Sequence, residues 1–190
     1  MNFPFKPIVL VTGFGPFANH PVNASWEAVK LLDKDEIETK HNIELVTLEI
    51  PVTYENVDEF APLMIHVGVS KLAKCLTLET QAHKKGYQRL DYFDKCPPNH
   101  TCPADGAIRI HTKLDVERVS ITNIPMHNDI SILCRFICIS VFLCEYIYYW
   151  SLSADNSRTL FVHVPDMDVY SPPRTARALS RVLDLCLEQV

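Results

Sequence analysis

With 190 residues, nearly half of them apolar and about a fifth charged, the chain has the composition of one globular domain and not of a disordered segment. A formal net charge of −5, with acidic and basic residues mixed along the sequence, argues against a nucleic-acid partner and leaves no charged tail. The opening MNFPFKPIVLVTGFGPF lacks a basic segment followed by a long apolar stretch and a cleavage site, so a cytoplasmic (cytosolic) location is expected.

Lys6 to Thr12 is an apolar, β-branched run, which predicts a buried strand ending at Gly13. NASWEAVKLL puts Trp26, Val29 and Leu32 on a helical period, with Asn23 or Ser25 at the capping position. NIELVTLEIPVTY predicts a second strand stopped by Pro51, and YENVDEFAPL a helix that ends almost at once at Pro62. MIHVGVS predicts a third buried strand closed by Gly68, and CLTLET a short extended segment. The polar stretch QAHKKGYQRLDYFDKCPPNHTCPADGA reads as a long surface loop, and VERVSITNIPMHND holds another strand candidate.

Ile130 to Leu143 is apolar apart from Arg135 and small polar residues, and with CEYIYYW behind it reaches a membrane-spanning length. Arg135 and Glu145 are each costly in lipid, so a buried helix or strand is expected and no membrane partner. RTLFVHVP, Arg158 to Pro165, predicts a further buried strand. SPPRTARALSRVLDLCLEQV closes the chain as an amphipathic helix with Pro172 and Pro173 in its first turn. Its apolar face carries Ala176, Leu179, Val182 or Leu183, and Cys186 or Leu187. Strands alternating with helices predict an α/β architecture with a mostly parallel sheet, whose sites lie at the carboxyl ends of strands.

GFGPFANHP fails as a phosphate loop: the Gly-Lys-Ser/Thr ending is missing, Ala18 stands where a dinucleotide fingerprint needs glycine, and Pro16 offers no N–H. No nucleotide cofactor is expected. Phe14 and Phe17 around a tight turn make either an apolar slot for a small, flat, uncharged group or two core residues. Seven cysteines at irregular spacing read as free thiols of a reducing compartment, one of them a candidate nucleophile. CPPNHTC, Cys96 to Cys102, has the look of half a zinc site, but no second pair stands nearby at ligand spacing, and no metal is expected.

Cys144 begins an aromatic-rich helical stretch, where a helix dipole favours the thiolate. His163 sits near the end of a buried strand and needs a polar partner; Glu79 follows another strand and is placed to orient it. Cysteine, histidine and acid form the constellation used by cysteine hydrolases, although buried cysteines are more often inert.

VLVTGFGPFANHPVNASWEAV, HVGVSKLAKCLTLETQAHKKGYQRLD and LCEYIYYWSL followed by RTLFVHVP resemble, in matching order from about Ile8 to Tyr170, the pyroglutamyl-peptidase I family of cysteine peptidases in its animal form. The resemblance implies a three-layer α/β/α sandwich around a mostly parallel twisted sheet. It also implies cofactor-free removal of an N-terminal pyroglutamyl residue from peptides, through a thioester acyl-enzyme. It places the catalytic nucleophile on Cys144, the general base on His163 and the acid on Glu79. Phe14 and Phe17 match the phenylalanines that flank the pyroglutamyl ring, Asn23 an asparagine of the same pocket, and Arg89 an arginine near the oxyanion.

The chain departs from the family pattern twice, within what reads as a single domain over residues 1–190. The glycine-containing turn before the nucleophile is absent, and an apolar insert occupies about 130–142, which makes Cys134 and Cys138 rivals of Cys144. The crossover near 60–64 is also short, since a parallel connection takes roughly ten to twelve residues including its helix. Two readings follow: an active peptidase in which the insert loops away from the site, and an inactive relative that binds pyroglutamyl peptides or serves as a scaffold.

Overall fold

A computed structural model describes residues 5–17, 21–54, 62–121, 132–136 and 142–190, with backbone alone at 120, 121 and 132–136. In chain order its elements are β1 (Ile8–Phe14), α1 (Ala24–Val29), α2 (Lys34–His41), β2 (Glu44–Ile50), β3 (Leu63–Val69), β4 (Leu76–Glu79), β5 (Gln81–His83), β6 (Arg109–His111), α3 (Val116–Ile121), β7 (Ile132–Phe136), α4 (Leu143–Ala154), β8 (Thr159–Val164) and α5 (Pro172–Leu187).

Among the described residues the main sheet has the strand order β2-β1-β3-β8-β4-β7. The strands β2, β1, β3 and β8 run parallel, whereas β4 is antiparallel to β8 and β7 follows β4. Strands buried on both faces read as continuous apolar runs, and the alternation of side chains sorts them into two cores. Val9, Val11, Leu63, Ile65, Val67, Leu76, Leu78, Leu160, Val162 and Val164 point to one face, where α1, α2, α3 and α5 contribute residues such as Ala28, Ile37, Val119, Leu179 and Val182. Phe14 and Phe161 point to the other, against α4. Helices on both faces of a mostly parallel sheet make the expected α/β/α sandwich.

Local chemistry fixes the ends of the helices. Asn23 caps α1 by accepting the N–H of Ser25, and Asp33 caps α2 by accepting that of Glu36. Pro172 and Pro173 open α5, whose apolar stripe, Ala176, Leu179, Val182, Leu183 and Cys186, is buried as its periodicity predicts. Gly13 is required where α1 crosses β1: a Cβ there would lie 2.8 Å from the Trp26 backbone.

Several expectations need correction. Gly68 lies within β3 and does not close it. The helix α2 was not expected, because it buries Ile37 alone and carries little apolar periodicity. The stretch starting at Gln81 is no surface loop: β5 pairs with β6, and Tyr87, Asp91 and Cys102 are buried. Its polar composition hides internal anchors, since the Asp91 carboxylate accepts the backbone N–H groups of Tyr54, Phe93 and Lys95. Residues 116–121 are helical rather than extended, with the Asp115 carboxylate accepting the N–H of Arg118 in the first turn. The helix expected before Pro62 falls at 55–61, outside the described residues. The insert expected at about 130–142 lies mostly outside them as well, apart from the backbone of β7 and Phe142. Among the described residues, no helix is long and apolar enough to cross a membrane.

Candidate active site

The face of the sheet under α4 carries the polar residues. Thr12, His66, Gly68, Thr77 and His163 alternate with the apolar residues of the opposite core, and Glu79 does the same at the end of β4. His163 pairs with Gly68 on one side and Thr77 on the other. Glu79 pairs with Phe161, which makes it a diagonal neighbour of His163, within reach of a long side chain. The carboxylate closes that diagonal: Glu79 Oε1 lies 3.1 Å from His163 Nε2. Both groups are almost fully buried. Because β4 runs against β8, the acid does not come from the strand edge that sequence topology suggests.

Cys144 is the second residue of α4, whose N-terminus is set by the extended Phe142. Its half-buried side chain descends onto the β3–β8 seam. A Cβ placed on Gly68 would lie 3.0 Å from the Cys144 sulfur and 2.7 Å from Phe161 Cζ, so the glycine makes the room in which the thiol sits. Glu79, Gln81, Cys144, Glu145, Tyr148, Phe161 and His163 together line one narrow cleft. By contrast, burial pushes the thiols of Cys102 and Cys186 up, to about 11 and about 12, which suits inert core positions. The side chain of Cys134 and all of Cys138 lie outside the described residues.

A second, open slot adjoins Cys144, with about 310 Å³ of empty space including its mouth. Phe14, Phe17, Asn23, Val52, Val69 and Phe142 are among its walls. Asn23 builds the slot instead of merely facing it: its Nδ2 donates to the Gly15 carbonyl (2.9 Å), and its Oδ1 accepts from Ser25 N (3.1 Å) and Oγ (2.9 Å). Ser25 Oγ in turn accepts the Phe14 N–H. Arg89 is exposed and stands behind the wall, its guanidinium 5.3 Å from the centre of the Phe142 ring.

The helix α4 is tied to the sheet by His66. The imidazole of this residue meets Thr12 Oγ1 at 2.8 Å and Ser151 Oγ at 2.9 Å. Burial drops the pKa of His66 to about 4, so it is a neutral structural link between β1, β3 and α4.

A model of the pyroglutamyl peptidase family matches residues 7–188. The chain belongs to the pyroglutamyl peptidase family. It is 36% identical over 198 residues to the human Pyroglutamyl-peptidase 1, covering 99% of this chain and 93% of that one, and 37% identical over 199 residues to the rat protein, covering 100% and 92%. The fold is similar to the crystal structure of Pyroglutamyl Peptidase I from Bacillus amyloliquefaciens, with a TM-score of 0.76 at 21% identity, covering 96% of this chain and 98% of that one. It is also similar to a mutant Pyrrolidone Carboxyl Peptidase from Pyrococcus furiosus, with a TM-score of 0.78 at 19% identity, covering 96% and 99%.

Set beside the sequence reading of this pyroglutamyl peptidase relative, the structure brings Glu79, Cys144 and His163 into one cleft and Phe14, Phe17 and Asn23 into the slot beside it. Arg89 touches neither directly. Sequence reasoning missed Gln81, Phe142, Tyr148 and Phe161 as lining residues, and valued Glu145 only as a charge unsuited to lipid. The position of Glu145 directly after the candidate nucleophile was the one available signal.

Proposed function

We propose that this member of a cysteine peptidase family hydrolyses the bond after an N-terminal pyroglutamyl residue, with Cys144 as nucleophile, His163 as general base and Glu79 as its orienting acid. The observation that carries the reading is the juxtaposition of the Glu79–His163 pair, the Cys144 sulfur and an apolar slot of two phenylalanines. With Nε2 engaged by Glu79, Nδ1 is the imidazole nitrogen that exchanges protons with the thiol. The α4 N-terminus adds a favourable field for the thiolate.

The pyroglutamyl lactam, flat and uncharged, enters between Phe14 and Phe17. The thiolate attacks the pyroglutamyl carbonyl, the peptide C–N bond breaks, and the imidazolium returns its proton to the departing amine. Water, deprotonated by the same imidazole, then cleaves the thioester, releasing pyroglutamic acid and restoring the thiol. None of these steps uses a cofactor. Peptides with an N-terminal pyroglutamate are the partners of this reading, the cytosol is its setting, and the chain acts as one domain over residues 1–190.

Hydrolysis of a fluorogenic pyroglutamyl amide under reducing conditions tests it. The wild-type chain turns the substrate over, and Cys144→Ser lowers the rate by at least about a thousandfold. Equal rates in the two proteins, or a folded wild-type protein without turnover, would overturn the assignment.

A further inference from the structure

A second acid–imidazole pair flanks the nucleophile. Glu145 follows Cys144 in α4, yet its side chain is turned inward and is only about 1% exposed. Its Oε1 accepts both the backbone N–H of His83 (2.9 Å) and the ring Nδ1–H of His83 (2.6 Å). Arg109 Nε donates to the other ring nitrogen of His83 at 3.1 Å. In that arrangement Nε2 accepts from Arg109 and Nδ1 carries the ring proton that faces the carboxylate. A chain of hydrogen bonds therefore runs from exposed Arg109, through half-buried His83, to buried Glu145.

Structural anchoring explains only half of this carboxylate. Among the described residues its second oxygen, Oε2, is buried without a hydrogen-bond partner, and so is Nε2 of Gln81; both residues line the cleft that holds Cys144, Glu79 and His163. Leaving a buried carboxylate oxygen unpaired is costly, and an amide would satisfy the His83 contacts as well. What an amide lacks is the charge. The titratable and charged groups around the carboxylate are His83 and Arg109 from the β5–β6 hairpin, Glu79 and His163 from the sheet, Tyr87 from the loop and Cys144 beside it. Tyr148, from the next turn of α4, donates its hydroxyl to the Glu79 carbonyl and closes the floor.

We propose that Glu145 is a positioning residue for the reaction, a second carboxylate of the cleft that is aimed by His83 and Arg109 and that sets the pH window in which Cys144 and His163 form the thiolate–imidazolium pair. The inference rests on the assignment of that pair given above. A negative charge beside both groups disfavours loss of the thiol proton and also disfavours loss of the imidazolium proton, so both limbs of the activity profile stand at higher pH than they would beside a neutral residue. Burial, together with Glu79 nearby, raises the pKa of Glu145 against the pull of His83, as expected for a carboxylate kept in the cleft against a solvation cost.

The test is the pH dependence of kcat/KM and of Cys144 alkylation by iodoacetamide in the wild type, Glu145→Gln and Arg109→Leu. In E145Q both limbs of the activity profile move to lower pH, and alkylation at pH 6 accelerates about threefold or more. In R109L, where the compensating charge is removed at the surface, the limbs move the other way and alkylation at pH 6 slows. Profiles of both variants that superimpose on the wild type, or a shift of E145Q to higher pH, overturn the proposal. A Cys144→Ser control separates the two layers: rapid alkylation that persists without Cys144 overturns the nucleophile assignment and the role of Glu145 with it, whereas superimposed profiles with alkylation abolished in Cys144→Ser overturn the role of Glu145 alone.

Discussion

Gly68→Ala is the most incisive substitution that the geometry offers. The added Cβ would meet Phe161 Cζ at 2.7 Å, Cys144 Sγ at 3.0 Å and Phe161 Cε1 at 3.2 Å, all tighter than van der Waals contact. One of the two neighbours must yield. Phe161 is 1% exposed, and its ring is boxed in by Phe14, His66, Tyr148 and His163, at centroid distances of 6.5, 6.4, 5.8 and 4.8 Å. The Cys144 sulfur ends a short side chain at the mouth of the cleft, so it moves first. Overpacking of this kind costs about 1–3 kcal/mol, lowering the melting temperature by roughly 2–12 °C for a chain of this size. Displacing a nucleophile by about 1 Å costs on the order of a hundredfold in rate. Hydrolysis of the pyroglutamyl amide and a thermal melt read the two effects separately. A G68A protein with kcat/KM within about threefold of the wild type and an unchanged melt would refute the placement of the sulfur over the β3–β8 seam.

Two further outcomes follow from the buried polar contacts. The His66 pKa is lowered in the fold, from the ordinary 6.5 to about 4, so the neutral ring is the stabilising form. Its contribution is complete above about pH 6.5 and is lost as pH falls towards 4, amounting to about 3 kcal/mol; urea unfolding across this range should show that loss in the wild type and not in His66→Gln, and equal pH slopes would contradict it. Asn23→Ala removes the α1 cap and the bond to the Gly15 carbonyl, which costs about 1–3 kcal/mol. Because those bonds hold the Phe14–Phe17 turn, KM for the pyroglutamyl amide should rise more than kcat falls, and an unchanged KM would remove Asn23 from the slot.

The apolar runs of β1, β3 and β8 and the stripe of α5 were legible because burial of whole strand faces and of one helix face leaves a periodic trace in sequence. Cys144, His163 and Glu79 were legible as candidates from the ends of such elements, aided by the family resemblance. Their approach was not, since it depends on β4 lying antiparallel beside β8, a pairing between residues far apart in the chain. The Gln81–Ala107 stretch misled because its anchors are single residues. Asp91 gathers three backbone N–H groups and Tyr87 donates to the His83 carbonyl, contacts that leave no period to read. Glu145 was overlooked for a related reason: a charge in an apolar helix looks like a fault until its partner, 62 residues earlier, is placed beside it.

The strand order also has a consequence for how such a hydrolase comes into being. The inner strand β8 is the last of the sheet to be synthesised, and it wedges between β3 and β4, which are made long before it. His163, the general base of the proposed reaction, arrives on that wedge. A polypeptide still emerging from the ribosome, or one cut short before Thr159, has Cys144, Glu79 and the two phenylalanines of the slot, yet lacks His163. In the proposed reaction, catalytic competence is thus delivered with the keystone of the sheet, and turnover reports that the fold has closed around it.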